Sequence, residues 1–331
     1  MPWFEELMGF REVSPEQVRQ DIEVSGEELI SRRNGRRFRY GRLEILSLNE
    51  LAARSQTVLG LEGRSSIQEV VGNVRDLHLD AANAECLFQV ASQFNLLEMT
   101  GPSVTPEEGV GIYEHDNTQG PACAIAAGAG TIYRNYFVPV RGRIGQTFDN
   151  QINCLDELED ALNAVCPKPW YYRNGYVLTD AKSLELIGRH LGQIAEDERN
   201  RLKGLIRIGI QWRTQVTLHG ATHCVSQAYC SALPVAYGQH EVFAWEPFAR
   251  LILEAAYEAT FHAAVLNGAA TGIRTVYLTL LGGGAFGNEY SWILDSLESA
   301  WKSFRAASLD VRIVSYRRSI PAIQALINRT Q

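Results

Sequence analysis

The sequence predicts an α/β protein: a central, largely parallel or mixed sheet covered by helices on both faces, in three layers, with an N-terminal extension. Three observations carry this. Short apolar runs rich in branched and aromatic residues recur along the chain. Between them lie stretches whose apolar residues repeat at helical spacing. A chain of 331 residues, 46% of them hydrophobic, can bury a large core. Strands that alternate with helices bury both faces of a sheet, hence the layered α/β/α arrangement.

In chain order, residues 1–60 read as an extension of short helices and a hairpin that packs on the rest. Ser14-Pro15 opens a helix, proline standing well at a first helical position. Asn34-Gly35 signals a turn, and Ser47 to Ala53 reads as a capped helix. Residues 61–331 form the main domain. Val71 to Leu79, Gly109 to Tyr113, Leu205 to Trp212, Gln227 to Val235, Thr275 to Leu281 and Val311 to Tyr316 read as strands. Leu184, Ile187, Leu191 and Ile194 mark one helix. Phe248 to Phe261, after the punctuation Glu246-Pro247, marks a second, and Ser291 to Phe304 a third. Residues 140–200, with Cys166-Pro167-Lys168-Pro169 and Asn174-Gly175, look like an insertion.

Composition excludes several classes. There is no apolar stretch of the length a membrane span needs, and the acid-bearing start MPWFEELMGFREVSPEQ is no signal peptide. Six scattered cysteines favour free thiols and a cytoplasmic setting. The net charge of −7 argues against a nucleic-acid partner, and the one basic cluster (Arg32, Arg33, Arg36, Arg37, Arg39) reads as a solvated face or an intramolecular clamp. A phosphate-bearing small ligand stays compatible if backbone amides hold its phosphates.

Three segments carry chemistry. In the first, a buried strand runs through Leu281 into Gly282, Gly283, Gly284, Ala285, Phe286, Gly287 and Asn288, and a helix follows. Three consecutive glycines exceed the needs of a turn, let the backbone touch a ligand, and with the next helix suit a diphosphate. The segment is neither a Walker loop nor a spaced dinucleotide fingerprint. In the second, Asp80-Ala81-Ala82-Asn83, two polar residues flank small ones and suit ribose hydroxyls, although a helix cap by Asp80 is the plainer use. In the third, Asp116, Thr118, Gln119 and Gly120 lead into a run of alanines and glycines; Asp116 suits activation of water or a grip on a guanidinium or ribose hydroxyl, an Asx-turn being the plainer use. His219, His223, Cys224 and Cys230 fit no zinc signature. No local context marks a cysteine nucleophile, and Glu107-Glu108 reads as an exposed loop.

Taken together, Asp80-Ala81-Ala82-Asn83 and Gly282-Gly283-Gly284-Ala285-Phe286-Gly287 resemble macrodomains. The first looks like that family's Asn-Ala-Ala-Asn segment. The second resembles the diphosphate loop of poly(ADP-ribose) glycohydrolases, over a stretch of likeness covering about residues 70–320. The resemblance implies a three-layer macrodomain-like fold that holds ADP-ribose, with Phe286 beside the distal ribose and Gly283 to Gly287 against the diphosphate. The chain departs from the glycohydrolases in Glu85 to Phe94, which lacks their Gly-Gly-Gly turn and Gln-Glu-Glu. Its Asp116 loop looks more like that of divergent macrodomain hydrolases acting on ADP-ribosyl-arginine. The expected function is therefore an ADP-ribose-binding hydrolase that frees ADP-ribose from modified protein, with arginine as acceptor. Asp116 and Asp80 would be catalytic, Asn83 would bind ribose, and no cofactor or metal is implied. A non-catalytic ADP-ribose reader and a nucleotide-sugar hydrolase are the alternatives.

Overall fold

The computed structural model describes residues 2–58 and 63–330. The expected boundary between extension and main domain, at residues 60 and 61, lies outside them. The chain opens with α1 (Trp3–Met8) and α2 (Pro15–Asp21), the latter capped by Ser14, whose hydroxyl accepts from the Gln17 amide. A small antiparallel sheet follows, β1 (Ile22–Ser25), β2 (Glu28–Ser31) and β3 (Arg37–Arg39), with its turn at Asn34-Gly35. The basic cluster is a clamp: Arg33 meets Asp21 at 2.8 Å, Arg32 meets Glu23 at 3.3 Å, Arg37 meets Glu28 at 3.4 Å, and Arg39 pairs with Glu27. Arg36 donates to the Glu6 carbonyl. The extension is more than a covering. Its strand β4 (Arg42–Ser47) is an edge of the main sheet, and α3 (Leu48–Gln56) starts on a capping box between Ser47 and Glu50.

Next come β5 (Ser66–Val71), α4 (Val74–Leu79), β6 (Leu87–Ala91), α5 (Gln119–Ala126) and α6 (Gly128–Tyr136). The region expected as an insertion holds the short pair β7 (Pro139–Val140) and β8 (Arg143–Ile144), α7 (Asp156–Leu162), the pair β9 (Tyr171–Arg173) and β10 (Tyr176–Leu178), α8 (Ala181–Leu191) and α9 (Glu196–Gly204). The chain finishes through β11 (Arg207–Gln215), β12 (Cys224–Cys230), α10 (Val242–Thr271), β13 (Thr275–Leu278), α11 (Tyr290–Ser303), β14 (Asp310–Ser315) and α12 (Pro321–Thr330).

Among the described residues, the central sheet has seven strands in the order β4-β11-β12-β6-β13-β14-β5. The five from β12 to β5 run parallel, β11 runs against them, and β4 is antiparallel to β11. Side chains of β6 sort the two faces. Gln89 reaches Thr260 of α10 on one, where α3, α8, α9 and α11 also pack. Phe88 stacks on His78 of α4 and on Tyr277 of β13 on the other, beside α5. The three-layer α/β/α fold with a mixed sheet, read from the sequence, is present.

Two expected strands are absent. Val71 to Leu79 is the last residue of β5 followed by α4, because Val74 and His78 are buried four residues apart on one helical face and Asn73 caps the start. Gly109 to Tyr113 coils into 3₁₀ turns: Gly109 takes φ 89° and the amides of Val110 and Gly111 turn to the Glu12 carboxylate instead of a strand partner. The second long helix starts at Val242, so Pro247 lies inside it, in the second turn, rather than before it.

Candidate functional site

Because β12, β6, β13, β14 and β5 are parallel, the segments that leave them all emerge on one edge of the sheet, where ligands bind in open α/β folds. A chamber of about 140 Å³ opens there, between Ser92 and Gln93 after β6, Ala232 after β12, and the loop after β13. It adjoins an outer cleft of about 840 Å³, and Asp116, Thr118, Gln119, Thr279 and Gly284 line both. Two of the three segments singled out in the sequence thus face one cavity.

The glycines after β13 do different work. Gly282 has φ 75°, and a Cβ there would lie 2.5 Å from the Ala232 Cβ, so only glycine fits. At Gly284 a Cβ would meet open space, and this residue lines the cavity. The amides of Gly283, Gly287 and Asn288 bond to the carbonyls of Leu280, Gly284 and Gly282. Among the described residues no acceptor meets the amides of Gly284, Ala285 and Phe286. The Gly282 amide is likewise without an acceptor there, and all four residues line the cavity. Phe286 closes an aromatic corner, 5.5 Å from Tyr176 and 5.8 Å from Tyr237, ring centre to ring centre.

Opposite stands the start of α5. Asp116 is half-buried, and its carboxylate accepts from the Thr118 amide at 2.8 Å, the Asx-turn. No side chain caps α5; the amides of Gln119 and Gly120 meet no acceptor among the described residues, Pro121 has no N–H, and all three line the cavity at the positive end of the helix. Gln119 locks the helix to β6, accepting from the Ala91 amide and donating to the Gln89 carbonyl. Gly120 is obligatory there, since a Cβ would sit 2.0 Å from the Ala91 carbonyl oxygen.

Glu98, which the sequence reading passed over, lines the inner chamber with 1% of its surface exposed. Neither carboxyl oxygen has a hydrogen-bond partner, and the nearest cation, Arg134, stands 3.7 Å away. That guanidinium donates from Nε to the Leu96 carbonyl and from Nη2 to the Thr131 hydroxyl and lies over the face of Tyr229, while its Nη1 has no hydrogen-bond partner. Burial therefore outweighs the attraction of Arg134, and the Glu98 carboxyl is pushed up to about 8. The same chamber is lined by the half-buried Asp116. The loop that carries Glu98 is fixed by Gln93, which bonds both the amide and the carbonyl of Met99. One acid within Phe94 to Met99 gives no sequence signal of its own; only the contacts from α6 and the 3₁₀ turns make it exceptional.

The remaining sequence candidates lie elsewhere. Asp80, exposed, caps the turn Ala81–Asn83 through the Ala82 amide. Asn83 is buried, donating to the Leu77 carbonyl and accepting from the Tyr277 hydroxyl at 2.7 Å. Both precede β6, at the edge opposite the cavity, and neither lines it. Their expected roles in catalysis and ribose binding rested on the misread strand. Asn288 is buried under the glycine loop, where it donates to the Leu233 carbonyl. His223 bonds the His78 carbonyl, and no cluster of three metal-ligating side chains occurs among the described residues. Glu107 accepts from the Phe148 amide, with Glu108 in the adjoining 3₁₀ turn.

The six cysteines are unpaired, and no described helix is long and apolar enough to cross a membrane. No family model matches the chain, and no curated protein matches it either. Among solved structures, the poly(ADP-ribose) glycohydrolase of Deinococcus radiodurans in complex with ADP-ribose is similar at 9% identity and a TM-score of 0.45, over 87% of this chain and 93% of that one. The poly(ADP-ribose) glycohydrolase of Thermomonospora curvata is similar at 11% identity and a TM-score of 0.45, over 96% of each chain.

Proposed function

We propose that this protein binds ADP-ribose with its diphosphate on the amides of Gly284, Ala285 and Phe286 and hydrolyses the bond between the distal ribose and an acceptor on a modified protein. The observation that carries this is the convergence, on one cavity, of unpaired loop amides, an uncapped helix start and two carboxyl groups in different environments. Oriented amides bind a diphosphate without basic side chains, which suits a chain of net charge −7. The aromatic corner of Phe286, Tyr176 and Tyr237 gives the distal sugar a wall.

The two carboxyls divide the chemistry. Asp116, on the rim, takes a proton from water as its oxygen attacks the anomeric carbon. Glu98, protonated at neutral pH, gives a proton to the acceptor atom as its bond to that carbon breaks. Water is consumed, and free ADP-ribose and unmodified acceptor leave. Arginine is the acceptor in this reading, because the side of the outer cleft formed by Glu6, Glu114 and Asp116, away from Arg75 and Arg317, suits a departing guanidinium.

The test pairs binding with turnover. Calorimetry should give saturable binding of ADP-ribose, and a peptide ADP-ribosylated on arginine should release ADP-ribose. Asp116→Asn should bind ADP-ribose within a few fold of wild type and lose about 10²–10⁴ in rate. Binding without release by the wild type would make the protein a reader; no binding at all would remove the whole assignment.

A further inference from the structure

The outer cleft holds charge that the proposed reaction leaves unused. Arg75, in the first turn of α4 after β5, and Arg317, just after β14, both line it and are exposed. Among the described residues neither guanidinium meets a carboxylate, whereas Arg312 on β14 is paired with Asp310 at 2.7 Å. In an acidic chain, two unpaired guanidiniums on one concave wall stand out.

The wall is built to hold them. Arg317 has φ 66°, a left-handed backbone that non-glycine residues rarely keep without support. Glu69 supplies the support: its carboxylate accepts from the Ser315 and Ser319 hydroxyls and the Ile320 amide, on either side of the turn. The Tyr316 ring stands exposed beside it, 4.8 Å from the Arg317 guanidinium. At the start of α4, the capping Asn73 side chain accepts from the Arg75 amide at 3.0 Å. The acidic groups of the cleft, Glu6, Glu114 and Asp116, come from α1 and the 3₁₀ turn and not from these two strand ends.

We propose that Arg75 and Arg317 form a second anion subsite that takes a phosphomonoester on the adenosine ribose, so that the preferred ligand is a phosphorylated ADP-ribose. The inference rests on the ADP-ribose reading: with the diphosphate on the glycine loop, the ligand's adenosine half extends past Gly284, which lines both chambers, towards the two guanidiniums. Arginine presents a fork of donors that matches phosphate oxygens, and two forks carried by the segments that leave the neighbouring parallel strands β5 and β14 select for a third phosphate rather than for the two already held.

Calorimetry with ADP-ribose and ADP-ribose 2′-phosphate, on wild type and on the Arg75→Gln/Arg317→Gln double variant, tests this, with ADP-ribose 3′-phosphate as a further arm. The 2′- or the 3′-phosphate should bind the wild type about tenfold or more tightly than ADP-ribose at low salt, with the preference shrinking at high salt. The double variant should lose that preference and keep its affinity for plain ADP-ribose. Equal binding of all three ligands to the wild type overturns the subsite alone. So does a preference that survives in the double variant, or a variant that loses all ligands alike. Failure of every ligand to bind the wild type overturns the ADP-ribose reading, and the subsite with it.

Discussion

At the scale of the residue, the acid role proposed for Glu98 rests on a carboxyl that is buried and without hydrogen-bond partners. Its raised titration has a sign that can be tested on folding. The folded protein holds this proton more tightly than the unfolded chain, so below the ordinary carboxylate range the two states do not differ. As pH climbs from there to about 8, the unfolded chain ionises first and stability is lost. Glu98→Gln should flatten that loss: urea unfolding at about pH 5 should find variant and wild type close, and at about pH 8.5 the variant should be the more stable. The same variant should lose about 10²–10⁴ in turnover while ADP-ribose affinity holds within a few fold. A variant that keeps its rate would leave Glu98 as an uncomfortable core residue and no more. Asp116 was legible from the sequence because a polar run interrupts apolar ones there. Glu98 was not, since its environment comes from Arg134 and Tyr113, which the fold brings to it from α6 and the 3₁₀ turn.

At the scale of the element, the glycine loop separates a residue needed to fold from one needed to bind. Gly282→Ala puts a Cβ into a left-handed backbone and against Ala232, and should cost at least about 1–2 kcal/mol of stability from the backbone alone. Gly284→Ala adds its methyl to open space, so thermal unfolding of the ligand-free protein should be unchanged while ADP-ribose affinity falls. Equal affinity in this second variant would mean that the ligand does not lie on the loop. Asn83→Ala should behave in the opposite way, destabilising by about 1–3 kcal/mol because the Tyr277 hydroxyl loses a buried partner, with ADP-ribose binding intact. The contrast also locates what the sequence could and could not say. Leu281 to Gly287 was readable because a buried strand followed by consecutive glycines has few uses. Asp80-Ala81-Ala82-Asn83 misled because Val71 to Leu79 has enough branched and apolar residues for a strand, while the burial of Val74 and His78 on one helical face depends on the partners that β6 and β12 supply.

At the scale of the whole molecule, the N-terminal segment anchors the turn that carries Asp116. Glu12 leaves it to reach the core, where its carboxylate accepts from the amides of Val110 and Gly111 and from the Tyr136 hydroxyl. These two amides begin the 3₁₀ turn that ends at Asp116, and the Trp3 amide of α1 donates a hydrogen bond to the Glu114 carboxylate in the same turn. Sequence patterning located the extension's helices and hairpin but gave no hint of this anchor, because the partners lie about a hundred positions away and none of them is unusual in type. Gly109 fits the same picture: a Cβ there would lie 2.6 Å from the Glu12 carboxylate. Glu12→Ala leaves three buried donors without an acceptor, at about 1–3 kcal/mol each where water does not replace it. The turn, freed from its anchor, should then let Asp116 drift from the position that catalysis needs. Hydrogen exchange should speed up at residues 110–118, and turnover should fall further than ADP-ribose affinity, since the proposed diphosphate contacts belong to a loop that Glu12 does not touch. Glu12→Gln retains an amide oxygen to accept part of these bonds and should recover part of both effects. Exchange at residues 110–118 that matches wild type in Glu12→Ala would mean the turn is held by its own packing, and the extension would then be a covering after all.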